Sequence, residues 1–563
     1  MRKTISMFVC IIFTYYATYS CTNFLITKGA TIDGSCMITY SADSHTLYGE
    51  LYFWPAAQYP DNTYIDINEW DTGKYLGKIK QLNQTFSVVG NMNEFQVSIG
   101  ETTFTGREEL QDTTGLIDYG SLIYLTLQRS KTAREAIQIM GQLVSEYGYY
   151  STGESFSISD PNEVWIMEMV GKGSPKIEKD KKGKIKNTVY SKGAVWVALK
   201  VPDGYISGHA NHARIKNFPL NDPNNCLYAK DVIQFARDRG YFKGSDEQFS
   251  FRDAYCPMDY AALRFCEARV WSGFRKVNKE MDKFQAWLLG ESSEEMPLWI
   301  KPDFKLSLSD VYKLMRDHYE GTFFDMTEGL GAGPFQCPYR WRPMTWKVDS
   351  TEYCHERAIS TQQTGFSFVA QSRSWLPNPI GGINWFGVDD TYSTVYVPMY
   401  CGIQQIPYSY SAGNGDFNNF TWEAAHWVFN WVANYAYSRY SDMIIDIQKT
   451  QSELENSFFQ LIPMIDQQAA ELMKTQPEKA LEFITNFSVN QGNMTVARWK
   501  QLGEYLLVKY MDGNIKRESK GKFLNNGYTQ AAHPKHPAYN EAWYRGIIEK
   551  NPEKFRMRSL PKK

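Results

Sequence analysis

The strongest constraint in this sequence is a series of short runs with a period of two, each closed by a turn signal. Thr22 to Thr27 reads as a strand, Asp33-Gly34 as a hairpin turn and Cys36 to Tyr40 as the returning strand. A turn centred between about 31.5 and 33.5 pairs residue 21 with a residue between about 42 and 46. Asp43 is therefore expected beside Cys21. A second hairpin is expected from Thr85–Val89 through a turn at Asn91–Glu94 to Phe95, Val97 and Ile99. A third turns at Asp160-Pro161-Asn162, followed by Val164, Ile166 and Glu168 on one face and Trp165, Met167 and Met169 on the other. Apolar side chains on both faces imply a sheet covered on both sides. Ala194 to Val201 is a further strand, closed by Pro202-Asp203-Gly204.

Helical periods alternate with these hairpins. Thr132-Ala133-Arg134-Glu135 reads as a capping box, followed by the stripe Ile137, Met140, Val144 and Tyr147 and a stop at Gly148. Residues from about 220 to 330 are richer in helical patterns and charge. Strand-like runs return at Thr364–Ala370 and Ser393–Tyr400. From Thr421 the pattern is helical, with a stripe of Ala424, Val428, Trp431 and Tyr435 and amphipathic runs from Met443 to Leu472. The lysine-rich stretch Lys172–Lys186 fits a solvated hairpin tip better than a binding patch. Hairpins mixed with helices imply an α+β fold of antiparallel sheets with helices outside.

The first twenty residues have the three parts of a secretory signal. Arg2 and Lys3 are positive, Ile5–Ala17 is apolar and uncharged, and Thr18 and Ser20 are small residues at the cut. The apolar run falls short of the ~20 residues that a membrane span needs. Cleavage after Ser20 makes Cys21 the amino terminus, and the product is expected to be exported, to the periplasm or beyond the cell. A lipoprotein signal also ends before a Cys. Thr18 and Tyr19 suit that pattern poorly, so a lipid on Cys21 is the lesser reading.

Composition excludes several classes. The chain has 563 residues, 43% hydrophobic and 22% charged, ordinary values for a globular protein. Its 60 basic and 62 acidic residues balance to a net charge of -2, so nothing calls for nucleic acid. Eight cysteines follow the leader. They contain no CxxC pair, which removes a zinc ribbon or thioredoxin motif; Cys337 and Cys354 could pair in a disulfide. His209 and His212 lack a third ligand and are expected to be a satisfied loop pair, so no metal or cofactor is anticipated. Cys354-His355-Glu356 has no partner motif, and neither G-x-S-x-G nor Walker A occurs.

An amino-terminal cysteine joins a nucleophile and a base in one residue. The thiolate attacks, and the α-amine, with an ordinary pKa of about 7.7–8.0, can take its proton. Asp43 could orient the protonated amine; the alternative is a surface carboxylate near a turn. On this reading Asp43→Asn should cut turnover with little loss of stability.

Cys21-Thr22-Asn23-Phe24, Thr31-Ile32-Asp33-Gly34-Ser35, Met37-Ile38 and Asp43-Ser44 resemble the amino terminus of the PepD-type cysteine dipeptidases. These are N-terminal nucleophile (Ntn) hydrolases related to secernins and to choloylglycine hydrolases. The resemblance continues in order through Asn93-Glu94 with Val97, Gly100-Glu101-Thr102, Trp196-Val197-Ala198, Ala210-Asn211-His212-Ala213-Arg214-Ile215, Pro379-Ile380-Gly381-Gly382 and Tyr396-Val397-Pro398. It implies an αββα four-layer sandwich and hydrolysis of dipeptides by Cys21. By position, Asp43 matches the acidic residue behind the nucleophile and Asn211 the asparagine that helps hold the oxyanion; Asn211 could equally cap its own turn. Arg214 is a candidate for holding a substrate carboxylate. Tyr40 stands where relatives often have Arg, which bears on substrate preference.

The expected organisation is a leader (1–20), a peptidase domain (21–415) with a helical insertion at about 220–330, and a helical region (416–563). Two other readings keep parts of this: an Ntn amidase acting on a non-peptide amide, and a non-enzymatic surface protein tethered by a lipid on Cys21.

Overall fold

The structure, a computed structural model, describes residues 21–560 apart from 175, 180, 181, 183, 190 and 191. The expected leader and part of the lysine-rich tip lie outside the described residues. Lys176–Lys179 and Ile185–Val189, on either side of that tip, pair as an antiparallel hairpin.

The strands that position the site are β1 (Asn23–Ile26), β2 (Cys36–Asp43), β3 (Ser98–Phe104), β4 (Gly153–Ser159), β5 (Val164–Gly171), β6 (Ala194–Lys200), β7 (Ile206–His209), β8 (Thr364–Ser372), β9 (Gly382–Val388) and β10 (Val397–Tyr400). The main helices are α1 (Tyr119–Leu127), α2 (Ala133–Tyr147), α3 (Ala268–Val277), α4 (Ala425–Tyr437), α5 (Tyr440–Thr475) and α6 (Pro477–Lys509). A seven-stranded sheet runs Trp299–Ile300, β7, β1, β2, β8, β9, β10. An eight-stranded sheet runs Cys226–Tyr228, β6, β5, β4, β3, Met92–Asn93, Val88–Val89, Phe53–Trp54. Their paired strands are antiparallel, so the fold is α+β as expected.

Strand β5 shows why the second sheet is apolar on both faces. Val164, Ile166 and Val170 join the core that contains Phe24, Ile38 and Phe368 of the seven-stranded sheet. Trp165, Met167 and Met169 point the other way, into a core with Leu122 and Leu125 of α1 and Ile137, Met140 and Val144 of α2. The period of two thus feeds two cores at once. On the seven-stranded sheet, Ser488 of α6 accepts from the Tyr400 N–H at 3.3 Å, and Asp466 of α5 pairs with Arg373 at 2.5 Å. Among the described residues no helix is long and apolar enough to cross a membrane.

Several local expectations hold. The 160–162 turn closes the β4–β5 hairpin with Ser159 opposite Val164. Thr132 caps α2 by accepting from the Glu135 N–H at 3.1 Å, and Gly148 stops it at φ +81°. Glu135 reaches back to the N–H of Lys131 rather than Thr132, one residue further than a capping box requires.

Others need correction. Met92–Asn93 is a strand, not the middle of a turn, because the chain reverses tightly between Val89 and Met92 and again before Ser98. The buried face of α4 is Ala425, Val428, Phe429, Val432 and Ala436. Trp431 is drawn off it to lie over Gly503 of α6, where a Cβ would come within 2.0 Å of the indole. Cys337 and Cys354 are free thiols, as are the other six described cysteines; Cys354 sits on an exposed hairpin opposite Thr345. His209 ends strand β7, not a loop, and its ring lies between Thr102 Oγ1 at 2.7 Å and Ser157 Oγ at 2.8 Å.

The two sheets approach closely at Gly100. A Cβ there would lie 2.7 Å from the Asn23 carboxamide and 3.2 Å from Tyr40 Cβ. Gly100→Ala should therefore destabilise the protein by about 1–3 kcal/mol through overpacking. It should also lower kcat by pushing Asn23 and its neighbour Cys21 out of place. Denaturant melts and turnover on the same preparation check both effects.

Candidate active site

Strand β1 is paired on both edges, and the two registers decide what surrounds Cys21. Toward β2, Leu25 faces Ile38, Ile26 faces Met37, and Thr22 bridges Ser41. Continuing that register sets Ala42 opposite Cys21 with Asp43 next, at the near limit of the sequence expectation. Toward β7, Asn23 faces His209. Two residues further on, Asn211 comes opposite Cys21. Beyond β2, a register shift between Ala42 and Asp43 leaves Asp43 facing Thr364 at the start of β8. One end of four neighbouring strands thus gathers Cys21, Asp43 and Asn211.

The contacts tie these residues together. The buried Cys21 Sγ lies 3.8 Å from Glu101 Oε1 and 3.9 Å from the Tyr40 hydroxyl, and the Asp43 backbone N–H points to it. Tyr40 donates to Glu101 Oε1 at 2.5 Å. The Asp43 carboxylate accepts from Arg357 Nη2 and Thr364 Oγ1, each at 2.7 Å, and from Ser41 Oγ at 3.2 Å. Ser41 Oγ in turn accepts from the Thr22 N–H at 3.2 Å. The Asn23 carboxamide, with its oxygen toward the Glu101 N–H at 3.1 Å and its nitrogen toward the Glu101 carbonyl at 3.0 Å, substitutes for a neighbouring strand on this part of β3.

Arg269 is the principal tie. A π-helical stretch, Ala262–Glu267, leads into α3, and Arg269 reaches from its first turn into the site. Its Nε donates to Phe265 O at 2.6 Å. Its Nη1 donates to Cys21 O at 2.5 Å and Thr22 Oγ1 at 2.8 Å, and its Nη2 to Ala210 O at 3.1 Å and Asn211 Oδ1 at 2.8 Å. All five N–H groups of the guanidinium are used. Asn211 sits at φ +61° and donates from Nδ2 to Thr103 O at 2.6 Å, which leaves a second amide N–H.

The structure does not bring Arg214 to this group. Its Nε grips Glu267 at 3.0 and 3.1 Å, and its two Nη atoms donate to the carbonyls of Gly208, Leu298 and Pro297. A guanidinium so engaged in the interior has no donor edge for a substrate carboxylate, which moves that role off Arg214. The backbone N–H groups of Arg214 and Ile215 are held by the buried Glu168 carboxyl, which burial lifts to about 7 against the pull of those two N–H donors.

The site is electrically lopsided around the sulfur. Burial pushes the Cys21 thiol well above its ordinary range, and the carboxylates of Glu101 and Asp43 push it further; the Asp43 N–H and the Tyr40 hydroxyl offset this in part. Glu101 is raised by burial, with Glu154, Tyr40, Thr103 and Cys21 hydrogen-bonding against that rise. Glu154 is raised too, by burial and then by the Glu101 charge. No cation contacts Sγ among the described residues; the Arg269 guanidinium holds the Cys21 carbonyl instead. Among the described residues no group of His, Cys, Asp or Glu is arranged to hold a metal ion.

Glu101, Arg269 and Arg357 were not singled out as site residues from the sequence. Each meets the Cys21 group across 80, 248 and 314 residues of chain. The one available signal was Gly100-Glu101-Thr102, a buried-looking carboxylate inside an apolar strand.

A family model of peptidase family C69 matches residues 20–453. The chain belongs to peptidase family C69. It is 26% identical over 465 residues to a probable dipeptidase of Latilactobacillus sakei, covering 77% of this chain and 85% of that one. A probable dipeptidase of Salmonella dublin is 22% identical over 68% of this chain and 82% of its own. Probable dipeptidase B of Streptococcus pyogenes serotype M1 is 22% identical over 92% of this chain and 99% of its own. The match begins beside Cys21, so the residues gathered at the strand ends fall within the C69 region.

The Asp43–Arg357 pair revises the expected tolerance of Asp43→Asn. Both side chains are buried, and removing one charge strands the other. Asp43→Asn should lose about 3–5 kcal/mol in urea unfolding. The double variant Asp43→Asn/Arg357→Leu should recover part of that loss, and additive losses would mean that the pair is not coupled.

Proposed function

We propose that this C69 peptidase is an exported cysteine dipeptidase of the N-terminal nucleophile type, in which cleavage after Ser20 frees the Cys21 amine as the base. The observation that carries this reading is the convergence of Cys21, Asp43 and Asn211 at one end of β1. The local electrostatics support it. Carboxylates hold the thiol neutral, and His209 is fixed between Thr102 and Ser157 with burial taking its ring down to about 3. The α-amine is then the base that the arrangement leaves, on the same residue as the sulfur. The two sheets sharing a core, with α1 and α2 on one outer face and α5 and α6 on the other, support the αββα layering of Ntn hydrolases. Residues 21–415 are read as the catalytic unit and 416–563 as a helical region packed on its seven-stranded sheet.

The chemistry follows from these positions. The amine takes the thiol proton and Sγ attacks the scissile carbonyl. The oxyanion is met by the second Asn211 N–H, a type of donor that contributes about 3–4 kcal/mol. The ammonium returns its proton to the leaving amine, which departs as the carboxy-terminal amino acid. Water, deprotonated by the same amine, hydrolyses the thioester. Asp43, set by the β1–β2 register, orients this end of β1 through its N–H to sulfur and through Ser41 to the Thr22 N–H.

Cys21→Ala should reduce dipeptide hydrolysis to background with an unchanged far-UV spectrum, and Cys21→Ser should retain a trace at most. A Met left before Cys21 should inactivate the enzyme; full turnover by that form would exclude the amine as base. Glu101→Gln should move the pH midpoint of Cys21 alkylation downward, because it removes an anion that raises the thiol. Peptide mapping of Cys21 by mass reads this, and an unmoved or higher midpoint would contradict the electrostatics.

A further inference from the structure

Arg214 is unable to take a substrate carboxylate, which leaves the question of what cation near Cys21 can. A small cleft beside Asp43, about 10 Å³ in volume and so with room for about one water-sized group, is lined by Arg340, Arg342, Arg357, Thr361, Gln362 and Gln363. Two of its three arginines are occupied. Arg340 donates to the carbonyls of Cys337 and Met326, and Arg357 is paired with Asp43. Glu356, the carboxylate on its wall, is held by Arg264 at 2.8 Å. Arg342 differs. It donates from Nε to His45 Nε2 at 3.2 Å and from Nη2 to Gln363 Oε1 at 2.5 Å, both neutral partners. Among the described residues it makes no ion pair. A second observation is independent of charge: Gln363 is 94% buried, yet its Nε2 has no hydrogen-bond partner. A half-buried cation and a buried N–H donor, side by side without an anion, form a receptor for a carboxylate.

We propose that Arg342 and Gln363 form the subsite that receives the free α-carboxylate of the peptide whose bond Cys21 cleaves. The inference rests on the dipeptidase reading and names how that site limits its substrates. The strand order sets the scale. Cys21 lies two residues before β1, Asp43 ends β2, and Gln363 lies just before β8, its carbonyl accepting from the Ser44 N–H at 3.0 Å. Two strand spacings, and the two-residue offset along β2 between Ala42, opposite Cys21, and Ser44, bonded to Gln363, put the Gln363 backbone about 12 Å from that of Cys21. An attack distance of ~3 Å, one residue of ~3.6 Å and a hydrogen bond of ~2.9 Å span most of that distance. Burial and the Arg357 charge bring the Arg342 guanidinium down to about 10, a state that a bound carboxylate relieves.

The test compares a dipeptide with its carboxy-terminal amide, using protein shown by mass to begin at Cys21. Wild type should favour the free acid by about 100-fold in kcat/KM. Arg342→Ala should erase that preference through KM on the acid while leaving the amide within about threefold. Arg342→Lys should retain part of it, and Gln363→Leu should weaken it less than Arg342→Ala does. Equal losses on both substrates, or wild type that turns over acid and amide alike, overturn the subsite and leave the dipeptidase reading standing. No turnover of either substrate by correctly processed wild type overturns that reading, and the subsite with it.

Discussion

Strand β1 is held on both edges, and what surrounds Cys21 depends on that double pairing. The β2 edge delivers Asp43 and the β7 edge delivers Asn211, each through a register fixed by apolar side chains facing the core. A slip of one residue on either edge would turn Phe24 and Ile38 out of the core, so the register is protected by burial rather than by the site itself. Chemistry is thus placed at the strand ends while hydrophobic packing further along keeps it there.

Polar side chains complete what the strands begin. Arg269 ties the Cys21 carbonyl to Asn211, Arg357 neutralises Asp43, and Asn23 pairs with the β3 backbone to bring Glu101 against the thiol. These are buried, low-dielectric contacts, where an unmet charge is costly and a satisfied one is rigid. The cluster is negative around the sulfur and positive around the Cys21 carbonyl and Asp43. On the proposed processing, an ammonium freed at Cys21 would enter an environment rich in carboxylates, which would favour its charged form.

The sequence disclosed what is local and periodic. The Asp33-Gly34 signal sufficed to bring Asp43 to Cys21, because hairpin pairing is arithmetic. Thr132, Gly148 and the 160–162 turn marked their elements because capping and turn chemistry act within a few residues. The order of motifs carried the family. What escaped was long-range. Nothing around Arg269 distinguishes it from Arg275 on the same helix until the fold sets one against Cys21 and the other against Asp282. Arg214 was misjudged for the converse reason: it adjoins Asn211 in the chain, but the turn after β7 sends it inward to Glu267. The α4 stripe was displaced because that helix packs against α6, where Gly503 makes room for Trp431.

The central claim is that Cys21 forms a covalent bond with the acyl half of a peptide. Rapid acid quench of the processed protein with a slowly hydrolysed dipeptide, followed by mass analysis of its amino-terminal peptide, tests this most directly. The account predicts a thioester adduct of the acyl residue on the peptide that begins at Cys21, lost on treatment with hydroxylamine. Turnover of the same dipeptide with no adduct on that peptide under any quench time, or an adduct on another cysteine, would contradict it.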